Sequence, residues 1–199
     1  MASKKEQVIE ELYRICQRKN DYVFHNDIVK DVCKKVRFGN PFDVTKLDSK
    51  IKLPEILIKN DLAIIHIGSG KHKFIKGIEK VYHDFEPIQK SIKWNYKKSL
   101  LNQYNSSESN ILSVANNQRI LHHFLFGKDT EFADIDILKR PKTYFPHRTK
   151  TSFKYSFGKE AKLELTNIQI EVDLTIEFKG IIGVFEAKNG NPDSFSIYQ

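Results

Sequence analysis

Asn167 to Lys188 reads NIQIEVDLTIEFKGIIGVFEAK, and the reading of the whole chain turns on it. Ile168, Ile170, Val172, Leu174, Ile176 and Phe178 alternate with Gln169, Glu171, Asp173, Thr175 and Glu177. A period of two is that of a strand with one apolar face. Lys179-Gly180 follows, then a second β-rich run from Ile181 to Lys188. Glycine at the second position of a two-residue turn supplies the positive φ that a tight hairpin needs. With such a loop Phe178 faces Ile181, and each step outward pairs the next residues along. Asp173 then falls opposite Glu186, and Glu171 opposite Lys188. Directly opposed residues of antiparallel strands share a face, with Cβ atoms about 4.5–5.5 Å apart. The hairpin thus presents Glu171, Asp173, Glu186 and Lys188 as one cluster. Carboxylates that close repel unless a cation or a proton intervenes, and a hairpin needs no such quartet for its stability.

A chain of 199 residues has room for one large domain or two small ones, each with a core. No apolar run approaches the ~18 residues of a membrane span, and the opening MASKKEQVIEELYRIC has no apolar signal core. Cys16 and Cys33 fall in separate expected helices, without CxxC or Cys/His metal spacing, which reads as a protein of the reducing cytoplasm. The net charge of +8 is unevenly placed: residues 1–100 hold 21 Lys/Arg against 13 Asp/Glu, and residues 101–199 hold 12 of each. A basic half joined to a neutral half with clustered acids suggests a polyanion-binding module attached to something else. The plainer reading is a soluble basic surface.

Towards the N-terminus, Val8, Ile9, Leu12, Tyr13, Ile15 and Cys16 predict an amphipathic helix over Lys4 to Arg18. A second helix is expected from Asn26, as N-cap, to Lys35. A third piece covers Asp48 to Lys59, split into two short turns with Pro54 opening the second. Leu62–Ile67 and His72–Ile75 read as strands around a Gly68-Ser69-Gly70-Lys71 turn. GSGKHK lacks Walker spacing and no helix follows it, so its glycines serve the hairpin. Three helices followed by a basic, glycine-turned hairpin is the order of a winged helix. That fold places a helix in the major groove of DNA and a wing on the backbone or minor groove. Lys71, Lys73 and Lys76 would give the wing its phosphate contacts, with Lys34, Lys35, Arg37 and Lys50 supplying the rest.

A further helix is expected after Pro87, with Ile88, Ile92, Trp94, Tyr96 and Leu100 on its buried side, and the polar run Asn102 to Asn110 marks a boundary. Ser107 can cap a helix from Glu108 to Phe126. His122 and His123 are adjacent and so cannot share a helix face as metal ligands. Lys139 to Gly158 begins as a basic loop, in which Arg148 and Lys150 are candidate phosphate contacts, and becomes a strand over Phe153–Phe157, with Lys162–Leu165 another.

Asp173, twelve residues, then Glu186-Ala187-Lys188 resembles the signature of the metal-dependent PD-(D/E)xK nucleases, with Val172 where the name has proline. The winged-helix-like N-terminus, the ILSVANNQRILHHFL helix, the FPHRT loop and the EAKNG hairpin end together resemble prokaryotic type II restriction endonucleases. The resemblance implies an α+β chain with an α/β nuclease core, cytoplasmic in a prokaryote, that cleaves double-stranded DNA at specific sites with Mg2+. It implies a DNA methyltransferase as genetic partner and leaves a homodimer open. Asp173 and Glu186 would be metal ligands, the Ala187 carbonyl and Glu108 further ones, and Lys188 the catalytic lysine. Two hard carboxylates suit Mg2+, which takes oxygen ligands and keeps several waters. The ion stabilises charge on the scissile phosphate and lowers the pKa of a bound water, while the lysine orients or deprotonates that water.

The expected domains are a winged-helix-like reader over 1–80, a helical linker over 81–106 and the nuclease domain over 107–199. The family core continues past ExK with a helix and a strand, and only Asn189–Gln199 follow here, with Ser194–Gln199 as the start of that helix. The nuclease domain is therefore read as incomplete, and this polypeptide alone is expected to cleave poorly or not at all. Three other readings stand beside this one. The chain could be a non-catalytic winged-helix DNA-binding regulator with a C-terminal β domain. It could be a PD-(D/E)xK enzyme of DNA repair or resolution. Or the hairpin could be an ordinary edge whose charges form cross-strand pairs, Glu171 with Lys188 among them.

Overall fold

Ser3 starts the first helix, α1 (Lys4–Lys19), through a capping box with Glu6, and Asn20 ends it in the left-handed conformation. Its stripe of Val8, Ile9, Leu12, Tyr13 and Cys16 is buried. The computed structural model describes residues 2–87, 107–127, 140–144, 148–157, 161–188 and 193–196, so the helix expected after Pro87 lies outside the described residues. Helices and antiparallel strands make the chain α+β. It divides into two units, Met1–Glu86 with Lys150–Gln169 and Pro192–Gln199, and Pro87–Thr149 with Ile170–Asn191.

In the first unit α1 is followed by β1 (Val23–His25), α2 (Asn26–Val36), α3 (Glu55–Lys59), β2 (Leu62–Gly68), β3 (Lys71–Lys76) and β4 (Tyr82–Asp84). Single 3-10 turns at Pro41–Asp43, Lys50–Lys52 and Ile78–Lys80 fill the gaps, and Pro54 caps α3 as the sequence indicates. The sheet order is β1-β3-β2, antiparallel throughout, with Val23 opposite Lys73 and Ile64 opposite Phe74. The residue expected to cap α2 is instead its first helical residue. His25 caps it through its ring nitrogen, which leaves Asn26 Oδ1 2.8 Å from His72 Nε2.

That His72 ring is 6% exposed, stacks on Phe24, and has its Nδ1 buried without a partner among the described residues. Burial, then repulsion by His66 and His25, holds its pKa down at about 4, against 6.5 for the free side chain. Between those two values the unfolded chain takes up a proton that the folded chain refuses. Stability is therefore unaffected by this group above pH 6.5 and falls as pH drops towards 4, by at most about 1.4 kcal/mol per pH unit. Urea unfolding at pH 7.5, 6 and 5 is expected to show that loss, and His72→Leu to flatten it.

Further along the chain, β6 (Thr149–Phe157) and β7 (Ala161–Ile170) form a two-stranded sheet, and β10 (Ser194–Ser196) pairs antiparallel with β4. Leu163 and Leu165 are buried in the same cluster as Leu12, Val32, Leu57 and Ile65. The expected division at residues 80 and 107 is linear, whereas the units interleave: alternating leucines carry β7 to the first core. Ser194–Ser196, expected to open a helix, is a strand. Backbone pairing with β4 satisfies its polar groups, Ser194 Oγ accepts from Lys50 N at 2.8 Å, and Phe195 stacks on His83. Tyr82, on β4, is 1% exposed, and its hydroxyl donates to the Leu47 carbonyl at 2.6 Å. Tyr82→Phe leaves that buried carbonyl without its donor and is expected to cost about 1–3 kcal/mol in urea unfolding.

The second unit is built on α4 (Glu108–Asn117), α5 (Ile120–Phe126), β5 (Lys142–Tyr144), β8 (Leu174–Phe178) and β9 (Ile181–Phe185), with sheet order β5-β8-β9. The hairpin register is the one the sequence dictates: Phe178 pairs Ile181, Ile176 pairs Gly183, and Leu174 pairs Phe185. Lys179 and Gly180 have φ of 50° and 78°, both positive as the tight turn requires. Ser107 caps α4, but the single helix expected to Phe126 breaks at Arg119, whose φ is 59°. Asn116 and Asn117 precede the break, and asparagine favours turns and caps over helix interiors. Leu112, Leu174, Ile176 and Ala187 form the core, with Leu121, Leu125, Phe126 and Phe185 against it. Glycine at 183 admits α5, since a Cβ there would stand 2.6 Å from a Leu125 methyl. Strand β5 falls where a basic loop is expected; Thr143 pairs Ile176, and the Tyr144 hydroxyl donates to Glu177 at 3.2 Å.

Candidate active site

The strand expected from Ile168 to Phe178 is interrupted: β7 ends at Ile170, β8 begins at Leu174, and Glu171–Asp173 belong to neither. Their side chains take other partners. Glu171 pairs with Arg148 Nε at 2.9 Å rather than with Lys188. Half-buried Asp173 turns its Oδ2 onto the Ala187 N–H at 2.9 Å, which fixes it to the strand end that carries Glu186 and Lys188. Past β9, Ala187 is buried in the core, while Glu186 and Lys188, two residues apart, are exposed. Lys188 Nζ lies 2.6 Å from Glu186 Oε1.

Glu108 opens α4, whose Leu112 packs in the same core as Leu174 and Ala187. That shared core brings Glu108 within electrostatic range of Lys188. Burial opposes the charge on Lys188, yet its pKa is raised, by the hydrogen bond and charge of Glu186 and by the charges of Glu108 and Asp173. The lysine is therefore an ammonium paired with Glu186, with the charges of Glu108 and Asp173 acting on it as well. Among the described residues no three His, Cys, Asp or Glu side chains stand where together they could hold a metal ion. Glu186 and Lys188 are in contact and Asp173 is tied to the backbone between them, while Glu108 acts on Lys188 through its charge.

The basic residues of the first unit are dispersed. Lys34 and Lys35 lie in the last turn of α2, and Arg37 caps it with φ of 58°. All three are exposed, and Lys34 lies 3.9 Å from Asp31. Lys71 and Lys73 share one face of β3 by alternation, and Lys76 ends that strand, exposed. Lys50 is not a free phosphate contact. Its ammonium lies 2.8 Å from both Glu79 and Asp84, with the side chain 19% exposed. Lys150 is exposed at the start of β6, in the first unit, whereas Arg148 belongs to the second. The Arg148–Glu171 pair escapes sequence reading, since nothing in the spacing joins those positions. Both cysteines are buried and free, with Cys16 pushed up to about 11 chiefly by burial. Among the described residues no helix is long and apolar enough to cross a membrane.

No curated protein and no solved structure matches the chain. Residues 5–74 match a domain of unknown function (DUF6996), which ends within β3. Residues 77–199, more than half of the chain and including the whole carboxylate–lysine cluster, match a second domain of unknown function (DUF6997), and the chain belongs to that family.

Proposed function

We propose that this chain is a metal-dependent DNA endonuclease of the PD-(D/E)xK kind, acting as a type II restriction enzyme on double-stranded DNA beside a protective methyltransferase. The observation that carries the reading is the placement of Asp173, held to the Ala187 N–H at 2.9 Å, beside the Glu186–Lys188 pair at 2.6 Å, on a hairpin end that shares its core with the helix Glu108 opens. Mg2+ is bound through one or two carboxylates, waters and substrate phosphate rather than through an all-protein cage. The oxygen donors present fit it: Asp173 and Glu186 would hold the ion, with the Ala187 carbonyl and Glu108 in support. Bound there, the ion would supply charge for the developing phosphorane and a more acidic water. Lys188, with its raised pKa, stays protonated at neutral pH, so it acts as a donor to a phosphate oxygen rather than as the base that takes the water's proton.

In the first unit the order helix, strand, helix, helix, strand, strand supports the winged-helix reading. Lys34, Lys35, Arg37, Lys71, Lys73 and Lys76 are its phosphate contacts. A second reading, the non-catalytic winged-helix DNA-binding regulator, is favoured by the pairs already made at the hairpin end, where Glu186 Oε1 holds the Lys188 ammonium at 2.6 Å and Asp173 Oδ2 accepts from the Ala187 N–H at 2.9 Å. Methylation-free plasmid DNA incubated with the chain in MgCl2, and in EDTA, separates the two. Discrete fragments in Mg2+ alone support the nuclease. Retarded but uncut DNA in both conditions sinks the reading of this polypeptide as an active nuclease and leaves the regulator.

A further inference from the structure

Strands β6 and β7 make a two-stranded ribbon whose faces differ. Leu163 and Leu165 carry one face of β7 into the first core. Lys154 lies 3.9 Å from Glu164 across the ribbon, so the even-numbered residues of the two strands share the opposite face. That face holds Lys150, Ser152, Lys154, Lys162, Glu164 and Thr166, all exposed. Among these residues three lysines stand against one carboxylate. The Lys154–Glu164 pair is long and its side chains are 81% and 71% exposed, so it withholds little of either charge. The Ser152 hydroxyl is already used, accepting from Asn167 N at 2.9 Å. The ammonium groups are therefore what this face offers a ligand.

The ribbon also abuts the β2–β3 hairpin. Gly68 ends β2, and a Cβ on it would stand 1.7 Å from the Thr166 carbonyl oxygen, so the backbone of β7 lies directly against the hairpin turn from which Lys71 and Lys73 lead away. The nine extended residues of β6 span about 30 Å, close to the ~34 Å of one turn of duplex DNA. A two-stranded ribbon also fits the ~12 Å width of the major groove.

We propose that the lysine face of the β6–β7 ribbon is a second DNA-contacting surface, which extends the wing along the duplex and sets Lys150, Lys154 and Lys162 on phosphates. The inference rests on the DNA-binding reading of the first unit. Phosphate contacts fix the orientation of a protein on the duplex without reading its sequence, so the ribbon positions the chain and leaves base recognition to other residues.

Fluorescence anisotropy of the full chain on a labelled duplex of about two helical turns, between about 50 and 200 mM salt, tests this apart from cleavage. The slope of log affinity against log salt is expected to become shallower by about 2–3 in the triple variant Lys150→Ala, Lys154→Ala, Lys162→Ala, close to one per lost phosphate contact. The triple change of the same lysines to arginine keeps the charge and is expected to keep the slope, which separates charge from any folding defect. Lys19→Ala, Lys59→Ala and Lys80→Ala together remove the same charge elsewhere on the first unit and are expected to leave the slope near that of the parent. Lys71→Ala with Lys73→Ala, on the wing, is expected to reduce it. A parental slope in the ribbon alanine variant, with the wing variant reduced, overturns the ribbon contact and leaves the DNA-binding reading standing. An equal reduction in the Lys19, Lys59 and Lys80 variant assigns the effect to net charge and likewise overturns the ribbon contact. No binding of the duplex by the parent overturns both.

Discussion

On the nuclease reading proposed above, Lys188→Ala is expected to leave methylation-free plasmid intact in Mg2+, with cleavage lowered by about 10²–10³-fold, the range typical of one lost donor to developing charge. The expectation follows from position: this ammonium lies 2.6 Å from Glu186, beside the backbone that holds Asp173. Alanine keeps the short side chain that a strand end tolerates and leaves the buried Ala187 beside it in place. Asp173→Asn is expected to lose cleavage to a similar degree for a separate reason. The amide oxygen of asparagine can still accept from the Ala187 N–H, now 2.9 Å away, so the local fold is retained while one anionic ligand is lost. Circular dichroism spectra that match the parent, together with absent cleavage, are the expected pair of results. Cleavage by either variant at the parent rate removes the residue from the reaction.

Gly68→Ala is expected to destabilise the first unit by about 3 kcal/mol or more, a large part of the 5–15 kcal/mol that holds a typical domain together. Gly68 ends β2 with φ of 91°, and a Cβ built there would stand 1.7 Å from the Thr166 carbonyl oxygen. That atom is backbone of β7, so no rotamer change relieves the clash. Steric overpacking and left-handed strain each contribute about 1–3 kcal/mol. Gly180→Ala provides the comparison. Its φ is 78°, yet nothing lies within 4 Å of the added carbon, so strain alone acts and about 1 kcal/mol is expected. Urea midpoints measured for both variants check the ranking, and a Gly68→Ala midpoint equal to that of the parent would falsify the close approach of β7.

The hairpin was legible because two local signals agree, the period of two and a Lys-Gly turn, and together they fix the register to the residue. They also placed Asp173 near Glu186 and Lys188. What they could not show is that the ladder stops at Leu174. Glu171 and Asp173 continue the alternation, and only Arg148 and the Ala187 N–H, both distant in sequence, draw them off it. Lys50 looked like any surface lysine until Glu79 and Asp84 closed on it. The pattern of Leu163 and Leu165 says that one face of β7 is buried, and nothing in it says against which core. Composition is equally silent about SFS at Ser194–Ser196, where β4 supplies the partner.

The first unit's dependence on remote strands bears on how the chain is made. Residues from α1 to β4 leave the ribosome long before Leu163, Leu165 and the Ser194–Ser196 strand that complete their core and sheet. At about 5–20 residues per second, that interval lasts several seconds, during which the apolar wall of the nascent unit and the edge of β4 stand open. Closing loops of such length carries an entropic cost that grows only slowly with length, so the final fold loses little by the arrangement. The exposure falls in the waiting. A chaperone that engages the emerging chain before residue 163, and releases it after residue 196, would shield this unit through its most vulnerable stage.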